Sequence, residues 1–503
     1  MDPNKRIVVN TAAQYVKTIV NIVPTLYATR LVLATLGASD YGIYSLVAGV
    51  ISMLSFVTDA LAVSTQRFLS FYQGKGDEAK LKSVFNDSVL LHFVLGLLLS
   101  VLLAAATPLL FNGFLEIPSD RLDTAKSVYF IVISILFVTV ITAPFRATLI
   151  SHEDIVYISI VDVLYVALKV VLVLILTKVA FDKLIGYAWL MLIIQVFTLL
   201  ALSVFSFIKY DECVRPRFRD ISRSYLGELA SFAGWTVYST GCIIGRTQGV
   251  AVLLDKFVGV VANASYGIAQ QISGFVNLLS QSLLNAMRPQ IVKAEGEGDR
   301  PRLLSLSSQA GKFAFLLLSC VSLPVIFYME PLLEFWLDEV PEGAAFFCRM
   351  VMIASLLDMT TIALATANQA VGKIRSFSLA VNTTKILTLP LIWVCLRAGL
   401  PIVWLAVCYV GVEFICAMIR LPLLKITAGL DIWQYIRNTM LPLVIPVSVF
   451  VGTMLLSKSV LHLNFIIASL ICLPVYGVMV WFLALRRDER SAAKSMISNI
   501  FRR

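Results

Sequence analysis

The residues of this chain that could do chemistry are charges and amides set inside long apolar runs. Lys17, Arg30, Lys169, Arg246 and Lys385 are read as bases within such runs, and Asp59, Asp162, Asp358 and Glu413 as acids. An ionised side chain in hydrocarbon is costly, so it faces a bundle interior or a water-filled cavity. Cations in that setting suit an anionic substrate. Acids suit a proton or sodium ion coupled to transport. The neighbours have helical spacing. Gln14, Lys17, Asn21 and Thr25 follow one another at steps of 3, 4 and 4, which is one helix face. Ser52, Ser55 and Asp59 form a second stripe, and Gln270, Asn277, Gln281 and Asn285 a third. Asp162, Tyr165 and Lys169 share a side, as do Asp358 and Thr361. Plainer readings compete. Hydroxyls and amides also join helices in membranes, Arg30 can snorkel to an interface, and Asp162 can neutralise Lys169 two turns away.

The elements that position these residues follow from composition. Apolar residues make up 59% of the 503 and charged residues 14%, with mean hydropathy +0.86. That excess suits a bilayer, where each spanning helix needs about 20 apolar residues. The pattern gives fourteen spans: 9–35, 41–64, 84–110, 125–147, 154–177, 184–208, 226–250, 258–287, 308–329, 345–370, 376–398, 402–424, 439–457 and 463–485. Pro24 is expected to bend the first. The net charge of +10 is spread over short loops, which speaks for topology and against nucleic acid. With the N-terminus inside, cytoplasmic segments hold 28 of the 41 Lys and Arg and outer loops hold 8. Both termini are therefore expected in the cytoplasm. The outer segment Glu330 to Glu342 has five acids and no base. The start of the chain does not read as a secretory signal. Seven of the eight Cys lie in apolar runs without metal-ligand spacing, so packed thiols are expected.

The chain repeats itself. A shift of 222 positions places Gly37 on Gly259, Tyr44 on Tyr266 and the Gly74-x-Gly76-Asp77 loop on Gly296-x-Gly298-Asp299. Only eight of 47 positions are identical from Gly37 to Ser83, but they fall on the turn, the helix start and the loop. Asp59 and Gln281 share a repeat position. Lys169 and Lys385 are related by 216 positions and Trp189 and Trp404 by 215. This gives an all-α polytopic membrane protein made of two pseudo-symmetric six-helix lobes and an extra C-terminal helix pair. The expected divisions are lobe 1–208, basic linker 209–225, lobe 226–424, helix pair 425–485 and basic tail 486–503. The tail places Met496, Ile497, Ile500 and Phe501 on one face, as an interfacial helix would.

No P-loop, HExxH, Cys/His cluster or His beside an intramembrane acid occurs. A carrier is expected, then, and not an enzyme or an ATP-driven pump. The N-terminal third resembles the bacterial polysaccharide flippases of the multidrug/oligosaccharidyl-lipid/polysaccharide exporter superfamily. The resembling residues are Thr29-Arg30-Leu31, Leu36-Gly37, Asp40-Tyr41-Gly42-Ile43-Tyr44, Arg67-Phe68 and Gly74-Lys75-Gly76-Asp77. The second half adds Ala264-Ser265-Tyr266, Met287-Arg288-Pro289, Phe335-Trp336-Leu337 and Pro341.

The resemblance implies two lobes around a cavity that opens alternately to either side of the bacterial cytoplasmic membrane. The substrate would be an oligosaccharide linked through pyrophosphate to a polyprenyl lipid, moved from the inner to the outer leaflet. It implies no cofactor beyond a coupling proton or sodium ion, and other polysaccharide-assembly proteins as partners. A lipid II-type flippase, a multidrug cation antiporter and a membrane polymerase or ligase are the alternatives. The five bases would meet the pyrophosphate, and Gln14, Asn21, Ser55, Gln270, Asn277 and Gln281 the sugar hydroxyls. Lys385 has only Asn382, Thr383, Thr384 and Thr388 near it in its own span, so it is expected to face the cavity.

Overall fold

The computed structural model describes residues 3–52, 54–111, 117–177, 182–213, 223–337, 339–487 and 489–491. It is helical throughout, with no strand among the described residues. The N-terminal part contains α1 (Pro3–Ser52), α2 (Ser55–Lys75), α3 (Glu78–Leu109), α4 (Leu122–Ser151), α5 (Ile155–Leu176) and α6 (Lys183–Lys209). It continues into α7 (Arg223–Phe257), α8 (Val260–Gly296), α9 (Arg300–Phe327) and the short α10 (Met329–Trp336). Next come α11 (Ala344–Met359) and α12 (Ile362–Val371), bent by 44° against each other. The last four are α13 (Ile374–Arg397), α14 (Val403–Ala428), α15 (Ile432–Ser459) and α16 (Phe465–Ala484).

Among the described residues nine of these helices are long and apolar enough to cross a membrane, and the α11–α12 pair makes a tenth. The four expected spans missing from that set are the first, second, seventh and eighth. They carry the polar stripes, and they are the opening pair of each sequence repeat. Elsewhere the helices turn apolar faces outward. Leu97, Leu98, Val101 and Leu102 on α3 stand 50–57% exposed, a surface suited to lipid.

The repeat is visible in local geometry. The first helix leaves helical backbone at Gly37 (φ 78), between the first two expected spans, and Gly259 at the equivalent position also has positive φ (116). Gly76 (φ 69) and Gly298 (φ 77) each end a helix in the left-handed region, where a side chain is disfavoured. The next residue then caps the following helix. Asp77 accepts from the Lys80 N–H at 3.1 Å and Asp299 from the Arg302 N–H at 3.0 Å. Each Asp also donates its own N–H backward, to Tyr72 O and Ala294 O. Replacing Gly76 or Gly298 by Ala is expected to destabilise by about 1 kcal/mol in each case. Thermal unfolding in detergent would check this, and the two values should agree.

The chain divides into two compact units, Met1–Val237 with Gly296–Gly298, and Tyr238–Glu295 with Asp299–Arg503. The first is built around Val128, Tyr129, Val132 and Val140 of α4, packed against α1, α3 and α6, with the Tyr129 hydroxyl donating to Leu103 O at 2.8 Å. In the second, Tyr266, Phe347 and Tyr409 join α8, α11 and α14. The extra helix pair docks on α9 in the same unit. Phe450 of α15 stacks on Tyr476 of α16 at 4.5 Å, and the Tyr476 hydroxyl bonds that of Ser319 at 2.7 Å. Most of the expected linker (214–222) and the tail face beginning at Met496 lie outside the described residues.

Candidate functional site

In the first unit Asp162 is the hub. It lies on α5 and receives Lys17 Nζ from α1 at 2.7 Å and Arg146 Nη2 from α4 at 2.5 Å. Two cations on one carboxylate leave the group one positive charge in excess. Asp162 therefore does not neutralise Lys169, as one plain reading had it. Lys169 lies two turns along the same helix, half-buried. Among the described residues no carboxylate pairs with it. One turn before it, Tyr165 belongs to a cluster of tyrosines from three helices. Tyr44 and Tyr187 meet edge to face at 4.8 Å, and Tyr41 and Tyr165 pack on the same cluster. Such rings offer both apolar faces and hydroxyls, which suits a sugar.

At the end of α1 beyond Gly37, Arg121 clamps two acids. It donates twice to Asp40 and through Nη1 to Asp182 Oδ2 at 2.7 Å. Asp40 opens the Asp-Tyr-Gly-Ile-Tyr run, so the run's acid serves to close the helix ends. Its bonds to Asp40 and Asp182 raise the Arg121 pKa. Burial alone would raise the Asp182 carboxyl, but the Ile185 N–H and Arg121 hold it below its ordinary 3.8. A depressed carboxyl stabilises the fold fully above 3.8 and loses that contribution as pH falls toward the folded value. Arg121→Gln is thus expected to lower the melting temperature at neutral pH, by an amount that shrinks below pH 3.8. Melting curves of the two proteins across that range would check it.

The second unit holds a linear chain of five charges. Arg246 Nη1 of α7 reaches Glu413 Oε2 of α14 at 2.6 Å. Lys385 Nζ of α13 lies 2.7 Å from Glu413 Oε1 and 3.2 Å from Asp358 Oδ1 of α11. Arg420 Nη2 of α14 closes the chain on Asp358 Oδ1 at 2.6 Å, and its Nη1 bonds Thr361 Oγ1 at 3.1 Å. The sequence along the chain is plus, minus, plus, minus, plus, again one positive charge in excess. All but Asp358 have side chains less than 10% exposed. Arg246 also lies over the Tyr409 ring, 4.6 Å from its centre. A π turn at Ser378–Asn382 comes just before Lys385 in α13.

The expected site residues are thus divided. Lys385 is not the lone ammonium facing a cavity that its own span suggests, because α11 and α14 supply two carboxylates. Arg246 is enclosed in the same way. Asp162, Asp358 and Glu413 are all held by cations. Asp59 is exposed and, among the described residues, has no ion pair. Gln281 is exposed, and Gln14 and Gln270 are half-buried. Asn277 joins helices, donating to Ser273 O at 2.8 Å and approaching Ser355 Oγ at 3.3 Å. The side chains of Asn21, Arg30 and Ser55 lie outside the described residues.

Three bases were missed because the charge count assigned them to cytoplasmic segments: Arg146, Lys312 and Arg420. Each lies inside an expected span (125–147, 308–329 and 402–424) close to its cytoplasmic end, and each sits inside a helix. Arg420 had a signal. It follows Glu413 by seven residues, on the same helix face. Lys312 had a weaker one, because its partner, Glu489 at 2.6 Å, is 177 residues away.

These elements define a polytopic helical protein with the fold of the MATE structures. The chain aligns with a MATE structure in the bent conformation at TM-score 0.74 and 17% identity, covering 88% of this chain and 98% of that one. For the straight conformation the values are 0.73 and 18%, with 85% and 97% covered. A MOP superfamily transporter from Pyrococcus furiosus matches at 0.71 and 17%, over 86% and 97%. By sequence the chain matches the polysaccharide biosynthesis protein family over residues 4–295, more than half its length, and it belongs to that family. A search of curated proteins finds no match.

Proposed function

We propose that the protein is a flippase that carries a polyprenyl-pyrophosphate-linked oligosaccharide from the inner to the outer leaflet of the cytoplasmic membrane. The observation that carries this reading is the surplus of positive charge inside the helices. The Asp162 and Lys385 networks each hold one cation more than they need, and Lys169 adds an ammonium with no carboxylate among the described residues. A pyrophosphate has about two negative charges that hydrocarbon cannot solvate, and Lys and Arg supply the bonds it needs. Membership of the polysaccharide biosynthesis family supports the sugar part of the substrate. The Pyrococcus furiosus transporter bears on the charge. In that transporter a binding pocket of reverse polarity is taken to suggest a different function. A cation-drug antiporter needs an acidic site, and here three of the four acids are already neutralised.

In this reading two lobes rock about the site, as inverted and parallel repeats do in other carriers. Asp59, the acid with no ion pair among the described residues, becomes the best candidate to take up a coupling proton or sodium ion. The docking of α15 and α16 on α9 keeps a lipid II-type substrate as the second reading, since that branch also has fourteen spans. Expression in a strain lacking its own polysaccharide carrier tests the proposal. Restored surface polysaccharide supports it. Accumulated lipid-linked precursor inside the cell, at normal membrane abundance, would refute it.

A further inference from the structure

The second unit contains a cavity of about 380 Å³ at the start of α9, the end of α14, the start of α15 and the end of α16. That is within the range of small-ligand sites, about 300–1,000 Å³. None of the five charges described above lines it. All four helices present the same end here, the end expected in the cytoplasm. Two of them leave α geometry at the cavity. A π turn at Ile436–Met440 contains the lining residue Asn438, and another at Val480–Ala484 stops two residues before Arg486. Widened turns of this kind weaken a helix and are often kept at functional sites.

The lining of the cavity holds more bases than acids. Arg486 has Glu489 three residues away as its natural partner. Glu489, however, is already bonded to Lys312 Nζ at 2.6 Å, with that ammonium 1% exposed, and to the Arg486 backbone N–H at 2.8 Å. Arg486 Nε stands 3.8 Å from the other Glu489 oxygen and finds no hydrogen-bond acceptor among the described residues. Across the cavity Arg300 gives Nε and Nη2 to Glu295 at 3.3 and 2.9 Å, and its Nη1 meets an acceptor, Thr427 O, only at 3.5 Å. The single acid of the lining, Asp431, is occupied in accepting the Gln434 N–H at 3.0 Å. On the lining itself two guanidinium groups stand with one carboxylate, while Glu295 and Glu489 approach them from outside it. Ser305, Gln434 and Asn438 add neutral donors and acceptors around them. Arginine forks match phosphate oxygens, and amides and hydroxyls match the alcohols that phosphate esters bear.

We infer that this cavity binds a phosphate-bearing polar group, the headgroup of an anionic lipid or a soluble phosphate compound. The inference goes beyond the transport reading and requires only that the protein sit in a membrane. The test uses the full chain in phosphatidylcholine nanodiscs. One arm adds phosphatidylglycerol and counts lipid retained by native mass spectrometry. The other adds inorganic pyrophosphate and follows the melting temperature. Arg486→Gln removes the guanidinium whose Nε finds no acceptor among the described residues. Gln434→Glu adds a negative charge at an exposed position and leaves both arginines in place. Melting in phosphatidylcholine alone confirms that both variants fold. The wild type should respond in at least one arm, and both variants should weaken that response by about ten-fold or more. A response to lipid alone assigns a headgroup site, and a response to pyrophosphate a site for the free anion. No response in either arm, or an equal response in both variants, would overturn the inference.

Discussion

Glu413→Gln is expected to be the most destabilising single change in the second unit, at about 3–5 kcal/mol. Glu413 lies between Arg246 and Lys385 in a nearly dry setting. Its loss leaves Arg246 with no carboxylate partner among the described residues and leaves Lys385 and Arg420 to share Asp358. Lys385→Gln is expected to be much milder, about 1 kcal/mol, although lysine is the most central of the five charges. Its removal leaves two separate neutral pairs, Arg246 with Glu413 and Arg420 with Asp358. The ordering follows from the alternation of sign along the chain and not from distance to its middle. Membrane abundance and detergent melting of the two variants would check it. If Lys385→Gln were the worse of the two, the ion chain would not be what holds α7, α11, α13 and α14 together.

Lys169→Gln should show the opposite pattern, with stability kept and export lost. This lysine is half-buried on α5, and among the described residues it meets no carboxylate. Removing it strands no anion. A charge-assisted bond to phosphate is worth about 1.5–3 kcal/mol, so the rate of export should fall by at least about ten-fold. Lys169→Arg should keep part of the rate, since the charge stays while its geometry changes. Export per unit of membrane protein is the quantity to measure. Wild-type export by Lys169→Gln would remove this lysine from the substrate path.

The helices and their repeat were legible because a bilayer imposes a length and an apolarity that composition shows directly. The Gly-x-Gly-Asp loops were legible because a left-handed turn and an N-cap each demand particular residues. The charge partners were not. Lys385 reads as isolated because periodicity reports only its own helix face, while Asp358 and Glu413 come from two other helices. Asp162 reads as the partner of Lys169 by spacing, yet α1 and α4 bring Lys17 and Arg146 closer. Arg420 and Lys312 were counted with loops, since a charge near a predicted span end reads as an interface residue. The break at Gly37 was legible for the same reason as the loops: it falls between the first two expected spans and recurs at Gly259 in the second copy.

The central claim is that this protein moves a pyrophosphate-linked sugar lipid across a bilayer. The direct measurement is flipping in liposomes that hold the purified chain and a short-chain polyprenyl-pyrophosphate oligosaccharide loaded in one leaflet. A membrane-impermeant glycosidase on the opposite side reports arrival. The account predicts time-dependent cleavage with the wild type and little with Lys169→Gln at equal reconstitution. Cleavage no faster than in protein-free liposomes, under both proton and sodium gradients, would contradict it.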